Sequence, residues 1–419
     1  MSWAQEVTLA ELAEGGLFSD GDWVESKDQD ASGDVRLTQL ADVGVGEFRD
    51  RSDRWMRRDQ AHRLRCTFLE GDDVLIARMP DPIGRSCLVP SSVGSAVTVV
   101  DVAILRLARR DANPRYVMWA LNSPRFHSKV VALQSGTTRK RISRKNLASL
   151  TIPLPTLDEQ NRIVDLLEDH LSRLDAAESS LRLAMQKADA MTTASLDRQT
   201  TAGSRAWRDT AIGAMAELVE YGSSAKCAGQ AADSDVPVLR MGNIQNGKIN
   251  WTGLKYLPAG HEEFPKLLLQ SGDLVFNRTN SAELVGKSAV FEDTRAASFA
   301  SYLIRVRFGQ EVNPAWANMV INSPAGRRYV KSVASQQVGQ ANVNGTKLKA
   351  FPLPLPPLDE QCRRVRAHDE VVVSRERLHH QIADLVVRAA GLRRALLAAA
   401  FTGRLTNSAE GLLEELESV

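Results

Sequence analysis

"IPLPTLDEQNRIV" occupies residues 152–164, and "LPLPPLDEQCRRV" occupies residues 353–365. Aligned on Pro-Leu-Pro, Pro153 falls on Pro354 and Glu159 on Glu360, an offset of 201 residues. A segment so rich in proline is not helical, because proline lacks an amide hydrogen and clashes with the preceding turn. Asp158 or Asp359 then suits an N-cap or a first turn, where the helix dipole favours an acid, and a glutamate follows. Each stretch reads as an extended exit that opens a helix. Its recurrence half a chain away points to an internal duplication, which takes precedence over other readings.

The duplication extends upstream. "NPRYVMWALNSPRF" (113–126) pairs with "NPAWANMVINSPAG" (313–326) at an offset of 200. "DDVLIARMPDPIGRS" (72–86) resembles "GDLVFNRTNSAELVGKS" (272–288), with Arg78 on Arg278 and Arg85 near Lys287. "DVRLTQLADVGVGEF" (34–48) matches "DVPVLRMGNIQNGKI" (235–249) more loosely. Two copies of a unit of about 200 residues are too long for a solenoid and indicate a duplicated domain. "DDVLIAR" and "GDLVFNR" predict short buried strands after a turn. Asn113-Pro114 and Asn313-Pro314 predict an N-cap followed by an N1 proline, opening helices that stop at "NSP".

Past each proline block runs a long helical pattern. Leu167, Leu174, Leu181 and Ala188 are seven apart; so are Val371, Leu378, Leu385 and Leu392, with Ile382, Ala389 and Leu396 interleaved. No Pro or Gly falls between 156 and 202, and only Gly391 falls within 358–402. Two helices of roughly 40 residues, about 60 Å each, are expected. Their apolar stripes have coiled-coil spacing on otherwise charged surfaces, so they are expected to pack on each other.

Bulk properties narrow the function. At 419 residues the chain exceeds one ordinary core. Hydrophobic and charged contents of 43% and 25% suit a folded globular protein. A net charge of +2 leaves nucleic-acid binding to local basic patches. The start, "MSWAQEVTLAELAEGG", has no basic and apolar leader, and no stretch of 18 apolar residues occurs, so a cytoplasmic location is expected. Cys66, Cys87, Cys227 and Cys362 are scattered, which suits reduced thiols and no zinc site.

No catalytic constellation emerges. "GKS" (286–288) lacks the glycine of a phosphate loop, since Ser281 stands five positions before Gly286. "NPRY" (113–116) departs from the Asn-Pro-Pro-aromatic motif of amino-methyltransferases, and its partner is "NPAW". The seven histidines lie apart, save His379-His380 on a charged helix face. The stronger signal is basic and amide side chains in loops. "SGTTRKRISRK" (135–145) holds five Arg/Lys in eleven residues; its counterpart "QQVGQANVNGTK" (336–347) holds Gln336, Gln337, Gln340, Asn342 and Asn344. "RDRSDRWMRRD" (49–59) is a third, Arg-rich run. Lys and Arg attract phosphates; Arg reads guanine and Asn/Gln read adenine in the major groove. Each run read singly is equally a solvated surface loop. Two of them, however, precede the proline block in both copies and differ in residue type, as two sites reading different sequences would.

"PLPTLDEQNRIV" and "PLPPLDEQCRRV", with the "GDDVLIAR"/"GDLVFNR" and "LNSP"/"INSP" pairs, resemble the specificity subunit of type I restriction–modification systems over essentially the whole chain. The resemblance implies an α+β fold: two tandem globular target recognition domains, each followed by a long α-helix, with pseudo-two-fold internal symmetry. The helices then pack as an antiparallel coiled coil that rules off the spacer between half-sites. The boundaries are 1–156 for the first domain, 157–200 for the central helix, 201–357 for the second domain, 358–403 for the C-terminal helix and 404–419 for an acidic tail. It also implies a non-catalytic subunit binding bipartite, asymmetric double-stranded DNA. Its partners are two modification subunits, which methylate adenine with S-adenosylmethionine, and restriction subunits that use ATP and Mg. No cofactor or metal is expected in this chain. The candidate DNA-binding residues are Thr138, Arg139, Lys140 and Arg141 in the first domain and Gln337, Gln340 and Asn342 in the second. Arg78, Arg85, Arg278 and Lys287 are secondary candidates, with intradomain ion pairs as the alternative. The rival readings are a DNA-independent coiled-coil scaffold and a self-contained restriction–methylation enzyme.

Overall fold

The computed structural model describes residues 3–136, 139–203, 206–232, 234–337 and 339–406. The chain divides into two compact units, one of residues up to 181 together with those from 383 onward, the other of residues 182–382. Each is a mixed α+β body, and the two share one plan.

In the first unit, a four-stranded antiparallel sheet runs in the order Leu17–Asp20, Val102–Arg106, Val74–Ala77, Ser86–Leu88. In the second the order is Ala216–Tyr221, Leu303–Phe308, Leu274–Asn277, Ser288–Val290. A three-stranded mixed sheet follows in both, with Val35–Thr38 parallel to Ala96–Thr98 and Val236–Leu239 parallel to Ser298–Phe299. The strands "VLIA" and "LVFN" are buried along their whole length, as apolar runs without alternation suggest. The acid before each strand sets the turn. Asp73 accepts from Glu70 N at 2.8 Å and pairs with Arg106; Asp273 accepts from Gln270 N at 2.8 Å and pairs with Arg307. Both carboxylates are 0% exposed, so their guanidinium partners are obligatory.

The loosely matched stretch resolves into one hairpin in each copy. Val43 bridges Phe48 as Ile244 pairs with Ile249. Asp42 accepts from Gln39 N at 2.7 Å, and Asn243 accepts from Arg240 N at 2.9 Å. The copies are therefore in register across this hairpin.

Asn113 and Asn313 cap the helices Pro114–Leu121 and Pro314–Asn322. Ser123 and Ser323 then cap the helices that follow. The proline block is extended. Thr151–Leu154 pairs with Gln5–Thr8, and in the second copy Leu355 and Pro352 bridge Arg208 and Ala211. The chain entering each domain is thus laid against the chain leaving it.

The long helices are Leu157–Thr201 and Leu358–Ala400. Thr156 caps the first through its hydroxyl, which accepts from Glu159 N at 3.4 Å; Asp158 and Asp359 are first-turn acids. The helices pair antiparallel within each unit. In the first, Ile163, Val164, Leu167 and Leu171 share a core with Leu396, Leu397 and Ala400, and Arg393 reaches Asp175. In the second, Arg364 donates to Gln199 O at 3.0 Å, His368 meets Ser195 Oγ at 3.3 Å, and Arg375 pairs with Asp189 at 2.5 Å. The seam of the second helix departs from the seven-residue stripe expected of it. Ile382 and Leu396 are buried, but Leu385 is 45% exposed. Arg375, His379 and Arg393 occupy seam positions instead, because Asp189, Asp175 and Glu178 face them.

Candidate nucleic-acid interface

Each proline block is clamped by a buried glutamine of the helix it opens. Gln160 and Gln361 are 0% exposed. Gln160 Oε1 accepts from Asn113 N at 2.8 Å, while its Nε2 donates to Asp111 O at 2.8 Å and Pro155 O at 2.9 Å. Gln361 repeats all three, with Asn313 N at 2.8 Å, Glu311 O at 3.0 Å and Pro356 O at 2.8 Å. An aromatic side chain completes each clamp: Tyr116 Oη donates to Pro153 O at 2.8 Å, and Trp316 Nε1 to Pro354 O at 3.0 Å. Of the repeated "DEQ", the glutamine thus fastens helix to domain.

The same frame holds a loop just upstream in each copy. In the first, Arg78 O accepts from Ile142 N at 3.1 Å, and the Arg78 guanidinium donates to Ile142 O at 3.1 Å, Val100 O at 3.1 Å and Asp20 at 2.5 Å. In the second, Arg278 O accepts from Val343 N at 2.9 Å. Its guanidinium lies 5.0 Å over the Tyr221 ring and donates to Ser301 O at 3.3 Å and Asn342 Oδ1 at 3.5 Å. The repeated arginine therefore fastens the base of both candidate loops.

This geometry corrects part of the expected site. Arg78 is 6% exposed and Arg85 7%. Burial pushes both guanidinium groups below their ordinary range, and neither faces solvent for DNA. Arg85 donates to Val43 O at 2.7 Å, Leu40 O at 2.8 Å and Pro82 O at 2.9 Å, holding the first hairpin. Arg278 is half-buried and engaged as above. Asn342 is also engaged, its Nδ2 donating to Thr279 Oγ1 at 2.9 Å. Lys287 is half-buried on the wall of a cleft beside the second hairpin.

What remains open to solvent is the rim of the loops. Arg139, Lys140, Arg141, Arg144 and Lys145 are exposed, and Arg141 is tethered to Asp101 at 3.3 Å. Thr138 lies outside the described residues. In the second copy the loop is a hairpin of Ser335–Gln337 and Gln340–Asn342, extended by Thr279–Asn280. Gln340 is exposed there; the Gln337 side chain lies outside what the structure describes. Tyr302, 43% exposed, flanks this sheet through its carbonyl, which accepts from Arg278 N at 3.0 Å. Thr279, Asn280 and Tyr302 were not singled out from the sequence, although "RTN" follows the repeated strand directly. The Arg-rich run at 49–59 is largely neutralised: Arg49, Arg57 and Arg58 pair with Glu47, Asp30 and Asp34. Among the described residues, no cluster of His, Cys, Asp or Glu is arranged to hold a metal ion. The four cysteines are free thiols, with burial pushing Cys66 up to about 11 and Cys87 up to about 12.

Comparison with known proteins meets the same frame. Residues 62–181 match the family model for the type I restriction modification DNA specificity domain. Among curated proteins, the StySPI specificity subunit of Salmonella potsdam is 24% identical over 341 residues, covering 73% of this chain and 72% of its own. The EcoKI specificity subunit of Escherichia coli K12 is 23% identical over 319 residues, covering 70% and 69%. The HsdS subunit of Thermoanaerobacter tengcongensis shares the fold at 16% identity and a TM-score of 0.60, over 96% of this chain and 97% of its own. A chain from a structure of a type I R-M system does so at 18% and 0.75, over 96% and 98%. The duplicated α+β domain with paired long helices is therefore the architecture of DNA specificity chains. Within that class, residues 62–181 carry the DNA specificity domain, and the chain is similar over most of its length to specificity subunits of type I restriction–modification systems.

Proposed function

We propose that this chain reads a bipartite, asymmetric double-stranded DNA target, one half per globular domain, and does no chemistry itself. The observation that carries this is a pair of solvent-open loops held at the same place in both copies by the same repeated arginine, Arg78 buried in one and Arg278 half-buried in the other. One loop is basic (Arg139, Lys140, Arg141) and the other amide-rich (Gln340, with Thr279, Asn280 and Tyr302 beside it). Basic side chains supply phosphate attraction, and amides supply base-edge hydrogen bonds. The two long helices set the half-site spacing and dock two modification subunits, with restriction subunits joining the assembly. S-adenosylmethionine, ATP and Mg belong to those partners, and the complex works in the cytoplasm. Among the described residues, no helix is long and apolar enough to cross a membrane.

The test is DNA binding by the chain assembled with its modification subunit, measured by anisotropy across salt concentrations. R139A/K140A is expected to lower the slope of log K on log salt by about 2, one for each lost phosphate contact, with no loss of melting temperature. An unchanged slope, with binding intact, would favour the scaffold reading.

A further inference from the structure

The two copies differ where each domain meets its helix. In the first, Arg115 and Trp119 stand four residues apart on one helix face and both reach Glu168. Trp119 Nε1 donates to Glu168 Oε1 at 2.9 Å, Arg115 Nε donates to the same oxygen at 3.1 Å, and Arg115 Nη2 bonds the other oxygen. The indole also backs the first hairpin. At Gly46, φ 76°, a Cβ would fall 2.2 Å from the ring.

At the corresponding positions the second copy has Ala315, Met319 and Asp369. At its hairpin glycine, Gly247, a Cβ would meet no ring, only the Asn318 and Asn322 amides at 3.6 and 3.9 Å. Beside these positions lies a cleft of about 1150 Å³, bounded by the second hairpin, the helix Pro314–Asn322, the second long helix and residues 189–196 of the first. Trp251, Met319 and Val372 give it apolar wall. Asp369 stands on its helix side with no hydrogen-bond or ion-pair partner among the described residues. Asp369 is exposed at the cleft surface, and partial desolvation there holds its carboxyl above the ordinary range, against the pull of His368 and Lys248. On the domain side, Lys287 and Arg327 line the cleft, and Arg327 Nη1 is buried without a partner.

The side chains that complete the first copy define what is missing from the second. We propose that this cleft is a docking site for a helical segment of a partner protein that presents an arginine and an aromatic residue one turn apart. The guanidinium meets Asp369, the ring lies against Met319 and Trp251, and carbonyls of the guest accept from Arg327 and Lys287. The proposal rests on the reading of this chain as an assembly subunit. It adds that the two copies present unlike surfaces to their partners, one self-filled and one open.

The probe is an acetylated, amidated, alanine-rich helical peptide with Arg and Trp four residues apart, titrated into the full chain by calorimetry. Single-site, saturable binding is expected, absent for a peptide with alanine at both positions. D369N should weaken it about tenfold or more, as loss of a charged hydrogen bond does. A315R/M319W, which refills the cleft as in the first copy, should abolish it. If that double variant does not fold, D369N still decides. No saturation at millimolar peptide, or wild-type binding by D369N, overturns the proposal. DNA binding by the same D369N chain, assembled with its modification subunit, reports separately on the DNA-reading function. Its persistence beside failed peptide binding sinks only the docking site.

Discussion

Gln361 satisfies an amide and two carbonyls that no other side chain reaches among the described residues, and Gln160 does the same in the other copy. Replacing Gln361 with leucine keeps the volume but strands these groups in the interior. The expected loss is about 3 kcal/mol or more, since three groups are left unsatisfied and each costs ~1–3 kcal/mol. Chemical denaturation with near-constant slope would measure it; a wild-type midpoint would show the clamp to be idle. Arg78 makes a sharper comparison. R78M should lower the melting temperature and weaken DNA binding together, because it releases the base of the loop. R139A should weaken DNA binding alone. The sequence drew this distinction only in part, leaving Arg78 open between a DNA contact and an intradomain ion pair. Arg139 sits in a polar run and Arg78 closes an apolar strand, and the fold shows that Ile142, Val100 and Asp20 converge on Arg78. Asn342 likewise reads as a free adenine-reading amide until Thr279 and Arg278 are found against it.

The paired helices invite a test at their own scale. His368 lies in the seam, 8% exposed, beside Ser195. Burial holds its imidazole below the ordinary value of 6.5, against the opposing charge of Asp369. The folded state therefore takes up this proton less readily than the unfolded chain. Stability from this group is full above pH 6.5 and falls as pH drops through and below it. H368Q should flatten the melting temperature between about pH 7 and 5, the window below the ordinary imidazole pKa. An identical acid slope in the variant would assign the effect elsewhere. The helices themselves were legible: long, free of proline, and opened by acids after an extended block. Their seam was legible in the first helix, where Leu167 is buried, and only partly in the second, where Ile382 and Leu396 are buried but Leu385 is exposed. A stripe of apolar residues marks a seam only when its partner is apolar. Opposite Asp189 and Asp175, Arg375, His379 and Arg393 belong in it and Leu385 does not.

Across the whole molecule, the duplication is the organising feature. Equivalent hydrogen bonds at Asp42 and Asn243, Asp73 and Asp273, and Gln160 and Gln361 show one frame used twice. That frame was visible in the sequence because clamps, caps and buried strands tolerate few residue types. The proposed reading surface was less visible, because loops on a fixed frame are free to differ: one copy exposes Arg139 to Arg141, and the other exposes Gln340 and Tyr302. The frame predicts independence. Replacing residues 1–156 with the corresponding domain of another type I specificity subunit should change one half of the target and leave the other half and the gap intact.

The most direct measurement is a map of N6-methyladenine. The chain would be expressed with its modification subunit in a host lacking adenine methylation, and the genome read by single-molecule sequencing. The account predicts one bipartite, asymmetric motif with a fixed gap, of which a single half is lost or altered by R139A/K140A/R141A. Methylation at a continuous motif, or a bipartite motif indifferent to that substitution in an assembled complex, would contradict it.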